Sequence, residues 1–261
     1  MSRIRIKNFG PIREGLIGPN GTGWLDIKKI TVFIGNQGSG KSTVAKLIST
    51  LTWIEKALVR GDYPEHEFTQ HNRFIKKYCS YHKLENYFED LNGVNSAEIE
   101  YEGIAYKFAY RNERFTIDKL DGNNYLLPQI MYVPAERNFI STIDSPKMIK
   151  LSSGPLLEFL SEFDNAKKDI KGSLVLPLNQ TKIEYDKLND ILNLKGSNYK
   201  IRLSEASSGY QSSVPLYLVS RYLAYGIKYR MDNEREAMSS DELNRFRAGV
   251  QSIWNDKKYD R

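Results

Sequence analysis

The sequence predicts an α/β chain in which a buried strand, a glycine loop and an amphipathic helix follow in direct succession, with an antiparallel β-meander and a helical insertion beside them. Three observations predict it. Residues 29–34 form an apolar run that ends at Gly35, as in a central strand covered on both faces. From 42 to 60, Val44, Leu47, Ile48, Leu51, Ile54 and Leu58 recur at helical spacing. Residues 97–101, 104–110 and 114–117 alternate in polarity and are separated by Glu102-Gly103 and Arg111-Asn112-Glu113, which read as turns.

The remaining elements follow in order. Ile4 and Ile6 alternate with Arg5 and Lys7, so 3–8 reads as a strand, and 24–27 as another. Gly61 and Pro64 break the chain after the first helix. Residues 65–91 then read as a long polar-aromatic helical stretch, inserted ahead of the meander. Residues 129–133 read as a further buried strand stopped by Pro134. Helices are expected over 155–170, 181–192 and 209–229, the last with Pro215 near its start, where a missing N–H does least harm. A short strand is expected over 199–203. Ser239 and Glu242 stand at capping-box spacing ahead of a tail helix reaching about Trp254. The chain thus divides into 1–60 (strands, loop and first helix), 61–96 (helical insertion), 97–138 (meander and a following strand), 139–230 (helical lobe) and 231–261 (helical tail).

With 261 residues, 40% hydrophobic and 27% charged, the chain can bury a sizeable core and reads as globular. Its longest apolar runs fall far short of the roughly 20 residues a membrane span needs. The charged, alternating N-terminus reads as a strand start rather than a signal peptide. The one cysteine, Cys79, excludes an intrachain disulfide and suits a reducing cytoplasm. The net charge of +6 is compatible with a polyanionic partner, DNA included, although no dense basic stretch marks a dedicated arm. Arg73, Lys76, Lys77 and Lys83, interleaved with Phe74, Tyr78 and Tyr81, read first as an amphipathic element with a solvated basic side. His66, His71 and His82 near Cys79 fit no zinc spacing.

The strongest chemical signal is Gly35-Asn36-Gln37-Gly38-Ser39-Gly40-Lys41-Ser42-Thr43, an ungapped G-x-x-x-x-G-K-[ST] between the apolar run and the amphipathic helix. Glycines let the backbone curl so that successive N–H groups point at phosphate oxygens. The helix start adds unpaired N–H groups and the positive end of its dipole. Lys41 is long enough for the β- and γ-phosphates, Ser42 carries a hydroxyl for Mg²⁺, and Thr43 can reach the α-phosphate. The motif alone does not choose between ATP and GTP. A second serine-glycine cluster, Ser207-Ser208-Gly209, opens the helix expected from 209; it reads as a helix cap or a second anion site.

Together with the phosphate loop, Ala206-Ser207-Ser208-Gly209-Tyr210-Gln211 resembles the ABC ATPase signature L-S-G-G-Q, with the first Leu and first Gly replaced and one residue before Gln. Ile4-Arg5-Ile6-Lys7-Asn8-Phe9-Gly10-Pro11-Ile12 and Tyr132-Val133-Pro134-Ala135-Glu136-Arg137-Asn138 resemble segments of the SMC, RecF and OLD branch. The chain is thus similar to bacterial AAA-family ATPases of the OLD and RecF-like group. That resemblance implies an ABC-type P-loop nucleotide-binding head. It implies ATP and Mg²⁺ as ligands and a homodimer that sandwiches ATP. In that dimer, Ser207, Ser208, Gly209 and Gln211 of one subunit close on the nucleotide of the other. It also implies a nuclease or toxin effector in phage defence or DNA repair. Glu136 and Arg137 fall near its Q-loop position, with Glu136 the candidate catalytic acid. The resemblance fails at one point: no apolar strand ending in Asp-Glu, the Walker B acid pair, follows Gly209. Two readings remain open, an ATP-hydrolysing switch and a non-hydrolysing nucleotide-binding module or fragment that pairs with a complete partner. Nuclease activity in this chain lacks an acidic cluster to support it.

Overall fold

Alternation of Ile4 and Ile6 with arginines and a lysine makes Arg3–Lys7 a strand, β1, that buries both isoleucines completely. In the computed structural model, which describes residues 2–13, 23–90, 93–121, 125–142 and 153–232, β1 pairs with β2 (Trp24–Asp26) and with β3 (Glu98–Glu102). The expected meander follows as β3, β4 (Tyr106–Arg111) and β5 (Arg114–Lys119). The five strands lie in the order β2-β1-β3-β4-β5, every neighbour antiparallel. Glu100 accepts from Arg5 and Arg111 on the flanking strands. Burial alone would raise its carboxyl pKa; the two guanidinium groups outweigh burial and hold it below the usual range.

Helix α1 (Lys41–Arg60) buries Val44, Leu47, Leu51, Ile54 and Leu58 against this sheet's core. It stops at Gly61, whose φ of 71° permits the paired bonds Gly61 N–H to Leu58 O and Asp62 N–H to Ala57 O. The insertion is helical but broken. Helix α2 (His66–Thr69), a π-helical turn (Phe74–Cys79) and two 3₁₀ turns replace the expected long helix. Left-handed residues His71, Asn72 and Lys83 interrupt it. Phe74 stacks on Phe115 at 3.9 Å, and Tyr78 and Cys79 are buried. Two of the three aromatic residues interleaved with the lysines, Phe74 and Tyr78, therefore belong to the core, whereas Tyr81 is exposed, and Lys77 pairs with Glu67.

Residues 139–232 build a second core. Helices α3 (Phe139–Thr142), α4 (Gly154–Lys168) and α5 (Ser208–Asp232) pack with a four-stranded antiparallel sheet. Its strands are β6 (Ser173–Val175), β7 (Lys182–Asp186), β8 (Ile191–Lys195) and β9 (Lys200–Arg202), in sequential order. The lobe expected to be helical is thus half sheet, and the helix expected over 181–192 is the β7–β8 hairpin. Period-two alternation of Ile183 and Tyr185 with Lys182 and Glu184 wins over helix propensity. Asp186 folds the turn by accepting the Leu188 N–H at 3.0 Å and the Asn189 N–H at 3.3 Å.

Two expected buried strands are extended segments outside any sheet. Neither 29–34 nor 129–133 pairs with a strand among the described residues. A strand apolar on both faces needs neighbours on its edges and a layer above and below, and the two antiparallel sheets supply neither. The tail with its Ser239–Glu242 capping box lies outside the described residues. The fold is mixed α/β with antiparallel sheets, and among the described residues no helix is long and apolar enough to cross a membrane.

Candidate phosphate-binding site

The loop from Gly35 to Gly40 curls because two of its glycines adopt left-handed backbone, Gly38 at φ 80° and Gly40 at φ 93°. Gly40 also lies under the Asn8–Arg13 turn: a Cβ there would stand 2.8 Å from Ile12 Cγ1 and 3.2 Å from Pro11 Cγ. That turn is closed by Phe9 N–H to Ile12 O at 2.8 Å. The first-strand segment therefore seats the loop, and only glycine fits at the contact.

Lys41 Nζ donates to Gly35 O at 2.8 Å and Asn36 O at 2.6 Å, with Ser39 Oγ at 3.4 Å. The loop is thus wrapped around its own lysine. Immediately behind it α1 starts at Lys41, preceded by Gly40, which offers no side-chain cap, and with no acidic residue in its first turn. A long helix whose N-terminal amides have neither cap nor carboxylate favours an external anion there. Gly35, Asn36, Gln37, Gly38, Ser39 and Ser42 are open to solvent, whereas Thr43 is buried. Among the described residues no group of three His, Cys, Asp or Glu side chains could hold a metal ion by itself.

The second serine-glycine cluster stands on the other lobe. Ser207, Ser208 and Gly209 are exposed at the start of α5. Gln211 is not free: its side-chain amide donates to Ser204 O at 2.9 Å, closing the turn that leads into the helix. Pro215 explains what holds this end. Lacking an N–H, it leaves the Gln211 carbonyl without its helical partner, and Ser141 Oγ donates to that carbonyl at 2.7 Å. Arg137 Nε reaches the next carbonyl, Ser212 O, at 3.3 Å, and its Nη1 reaches Pro134 O at 3.4 Å. Arg137 therefore ties the 134–138 turn to α5, while Glu136 in the same turn is exposed.

The lobes meet where Tyr81 of the insertion donates to Glu158 of α4, and within the first lobe Lys46 of α1 holds the neighbouring His82 O at 3.0 Å. A cleft of about 710 Å³ opens there, lined by Thr50, Trp53, His82, Tyr132 and Glu158. Burial, reinforced by the Lys46 charge, pushes the His82 pKa down to about 4, so its imidazole is neutral at physiological pH.

Sequence reasoning passed over Glu55. Its carboxylate, 1% exposed, accepts the N–H groups of Ile104, Ala105 and Tyr106 at 2.7, 2.8 and 3.2 Å. A buried acid on α1 thus caps the β3–β4 turn. The signal was legible: Glu55 stands at helical spacing from Leu51 and Leu58 on the apolar stripe.

Comparison with known proteins yields no match: no family model, no curated protein and no solved structure matches this chain.

Proposed function

We propose that this chain is an ATP-binding head of the ABC type, and that residues 35–43 hold Mg²⁺·ATP. One observation carries the reading: the glycine turn brings the Lys41 ammonium and the uncapped start of a 20-residue helix to the same exposed loop. Both favour anions. Lys41 exchanges its two carbonyl partners for β- and γ-phosphate oxygens, and Ser42 adds a hydroxyl to Mg²⁺. The choice of ATP rests on the resemblance to OLD and RecF-like ATPases, since a phosphate loop does not read the base.

Ser207, Ser208 and Gly209 then serve a nucleotide held by a second copy. Their exposure at the start of α5 supports this role; Gln211, bonded to Ser204, shapes the turn instead. Arg137 positions α5 rather than touching nucleotide. Hydrolysis needs a carboxylate beside Mg²⁺ and the attacking water. Glu136 is the candidate within this chain, and its exposed turn is tied to α5 through Arg137 and Ser212 O. The reading favoured here is a nucleotide-binding half whose acid comes from elsewhere. A nuclease or toxin effector, in phage defence or DNA repair, is the setting the resemblance implies.

Titration calorimetry with Mg²⁺·ATP tests the reading. Saturable binding that is lost in Lys41→Ala, with the melting temperature of the free variant unchanged, supports it. Equal affinity in the variant would sink it.

A further inference from the structure

We infer that the cleft between the lobes binds a guanidinium group, carried by a small molecule or by an arginine side chain of another protein. The cleft and the phosphate loop share no residue, so the two sites stand or fall separately.

The cleft has the volume of a small-molecule pocket, about 710 Å³, and its polar groups are nearly all acceptors. Tyr81 donates its hydroxyl proton to Glu158 Oε2, and Thr50 donates its own to Lys46 O at 3.0 Å. Both hydroxyl oxygens keep lone pairs for a ligand. Glu158 Oε1 has no partner among the described residues. Glu162 stands one turn further along the same face of α4, and a cation between two like charges at this spacing relieves their repulsion. His82 is 4% exposed and its Nδ1 is without a partner. Its ring is neutral and brings no positive charge. Among the described residues Lys77 is the one cation lining the cleft, and Glu67 already accepts from it at 2.8 Å. Lys46, behind His82, is held by that residue's carbonyl.

Acceptors, carboxylates and aromatic walls together select the ligand. Phosphates and carboxylates are repelled. A guanidinium is planar, always charged, and carries five N–H donors and no acceptor. It forks onto a carboxylate while its face lies on an aromatic ring. Rings stand beside the acids: Trp53 and Tyr78 lie 5.7 Å apart, and Tyr132 packs on His82 at 4.9 Å. An ammonium, compact and strongly hydrated, matches flat walls and paired acceptors less well. The acids come from α4 and the rings of Trp53 and Tyr81 from α1 and the insertion, so a bound guanidinium bridges the two lobes.

The test titrates the full 261-residue chain, labelled with ¹⁵N, and follows the indole N–H of Trp53, assigned with Trp53→Phe. Butylguanidinium is expected to shift it saturably. Butylammonium should bind at least tenfold more weakly, and neutral butylurea should leave it unmoved. Replacing both acids, Glu158→Gln with Glu162→Gln, should weaken butylguanidinium at least tenfold at an unchanged melting temperature, because glutamine still accepts from Tyr81. Agmatine and the blocked peptide acetyl-Gly-Arg-Gly-amide separate the two sources. Tighter binding of agmatine assigns a small molecule and tighter binding of the peptide a protein side chain, and either upholds the site. No saturable shift at tens of millimolar butylguanidinium, equal binding of butylammonium or butylurea, or a double variant that binds as well as the parent would overturn the proposal.

Discussion

Replacing Glu55 by alanine removes the one acceptor of two buried amides and is expected to cost more than any surface change in the protein. Ala105 and Tyr106 are 6% and 8% exposed, so their N–H groups cannot turn to water once the carboxylate is gone. Ile104 is exposed and can rehydrate. An orphaned buried donor costs about 1–3 kcal/mol, so the two together cost about 4 kcal/mol. Glu55→Gln keeps an acceptor oxygen but loses the charge assistance, for about 1–2 kcal/mol. Gly103→Ala attacks the same contact from the other side, because its Cβ would fall within the Glu55 carboxylate. Urea unfolding followed by circular dichroism reads the effect as a fall in midpoint at unchanged slope. An alanine variant within about 1 kcal/mol of the parent would refute the argument that these amides depend on Glu55.

Other consequences follow from the same geometry. Gly40→Ala meets both a left-handed backbone and the Ile12 side chain, so it should cost about 2–3 kcal/mol and weaken nucleotide binding. Gly38→Ala has open space around it and should cost only the backbone term of about 1 kcal/mol; equal losses in calorimetry would contradict the contact with Ile12. His82, held neutral down to about pH 4 against 6.5 in a free chain, makes the unfolded state bind the proton first. Stability is then complete above pH 6.5 and falls as pH drops toward 4, by at most about 3 kcal/mol; His82→Phe should flatten that part of the pH–stability curve. Ser141→Ala strips the Gln211 carbonyl of its hydroxyl donor and should cost about 1–2 kcal/mol, while Ser141→Thr, which keeps the hydroxyl, restores most of it.

Much of the first lobe could be read from residue spacing. Period-two alternation gave the meander, and the 3-4 spacing from Val44 to Leu58 gave α1, because each pattern reports a one-sided core directly. The insertion was legible as helical but not as broken, since nothing in its polarity marks the left-handed His71, Asn72 and Lys83. The β7–β8 hairpin was misread as a helix: Ile183, Tyr185, Leu192 and Leu194 are too few to separate the two periods, and the decisive signal was the Asp186 turn. Residues 29–34 and 129–133 fail for a different reason. Their composition demands neighbours on both edges, and that demand is invisible until the sheets are seen to exclude them. In the loop region, spacing marked the glycine turn before α1 and the serines that stand exposed at the start of α5. It could not show that Gln211 and Arg137 are engaged with the backbone, nor that Pro215 creates the vacancy Ser141 fills.

Everything proposed for the phosphate loop turns on where Mg²⁺·ATP binds. Amide chemical shifts of ¹⁵N-labelled protein, recorded during a Mg²⁺·ATP titration, test it residue by residue. Saturable shifts are expected over residues 35–44, largest for the amides from Gly38 to Ser42, and absent in Lys41→Ala. Shifts centred in the inter-lobe cleft at Trp53 and His82 with the loop unmoved, or none at millimolar nucleotide, would contradict it.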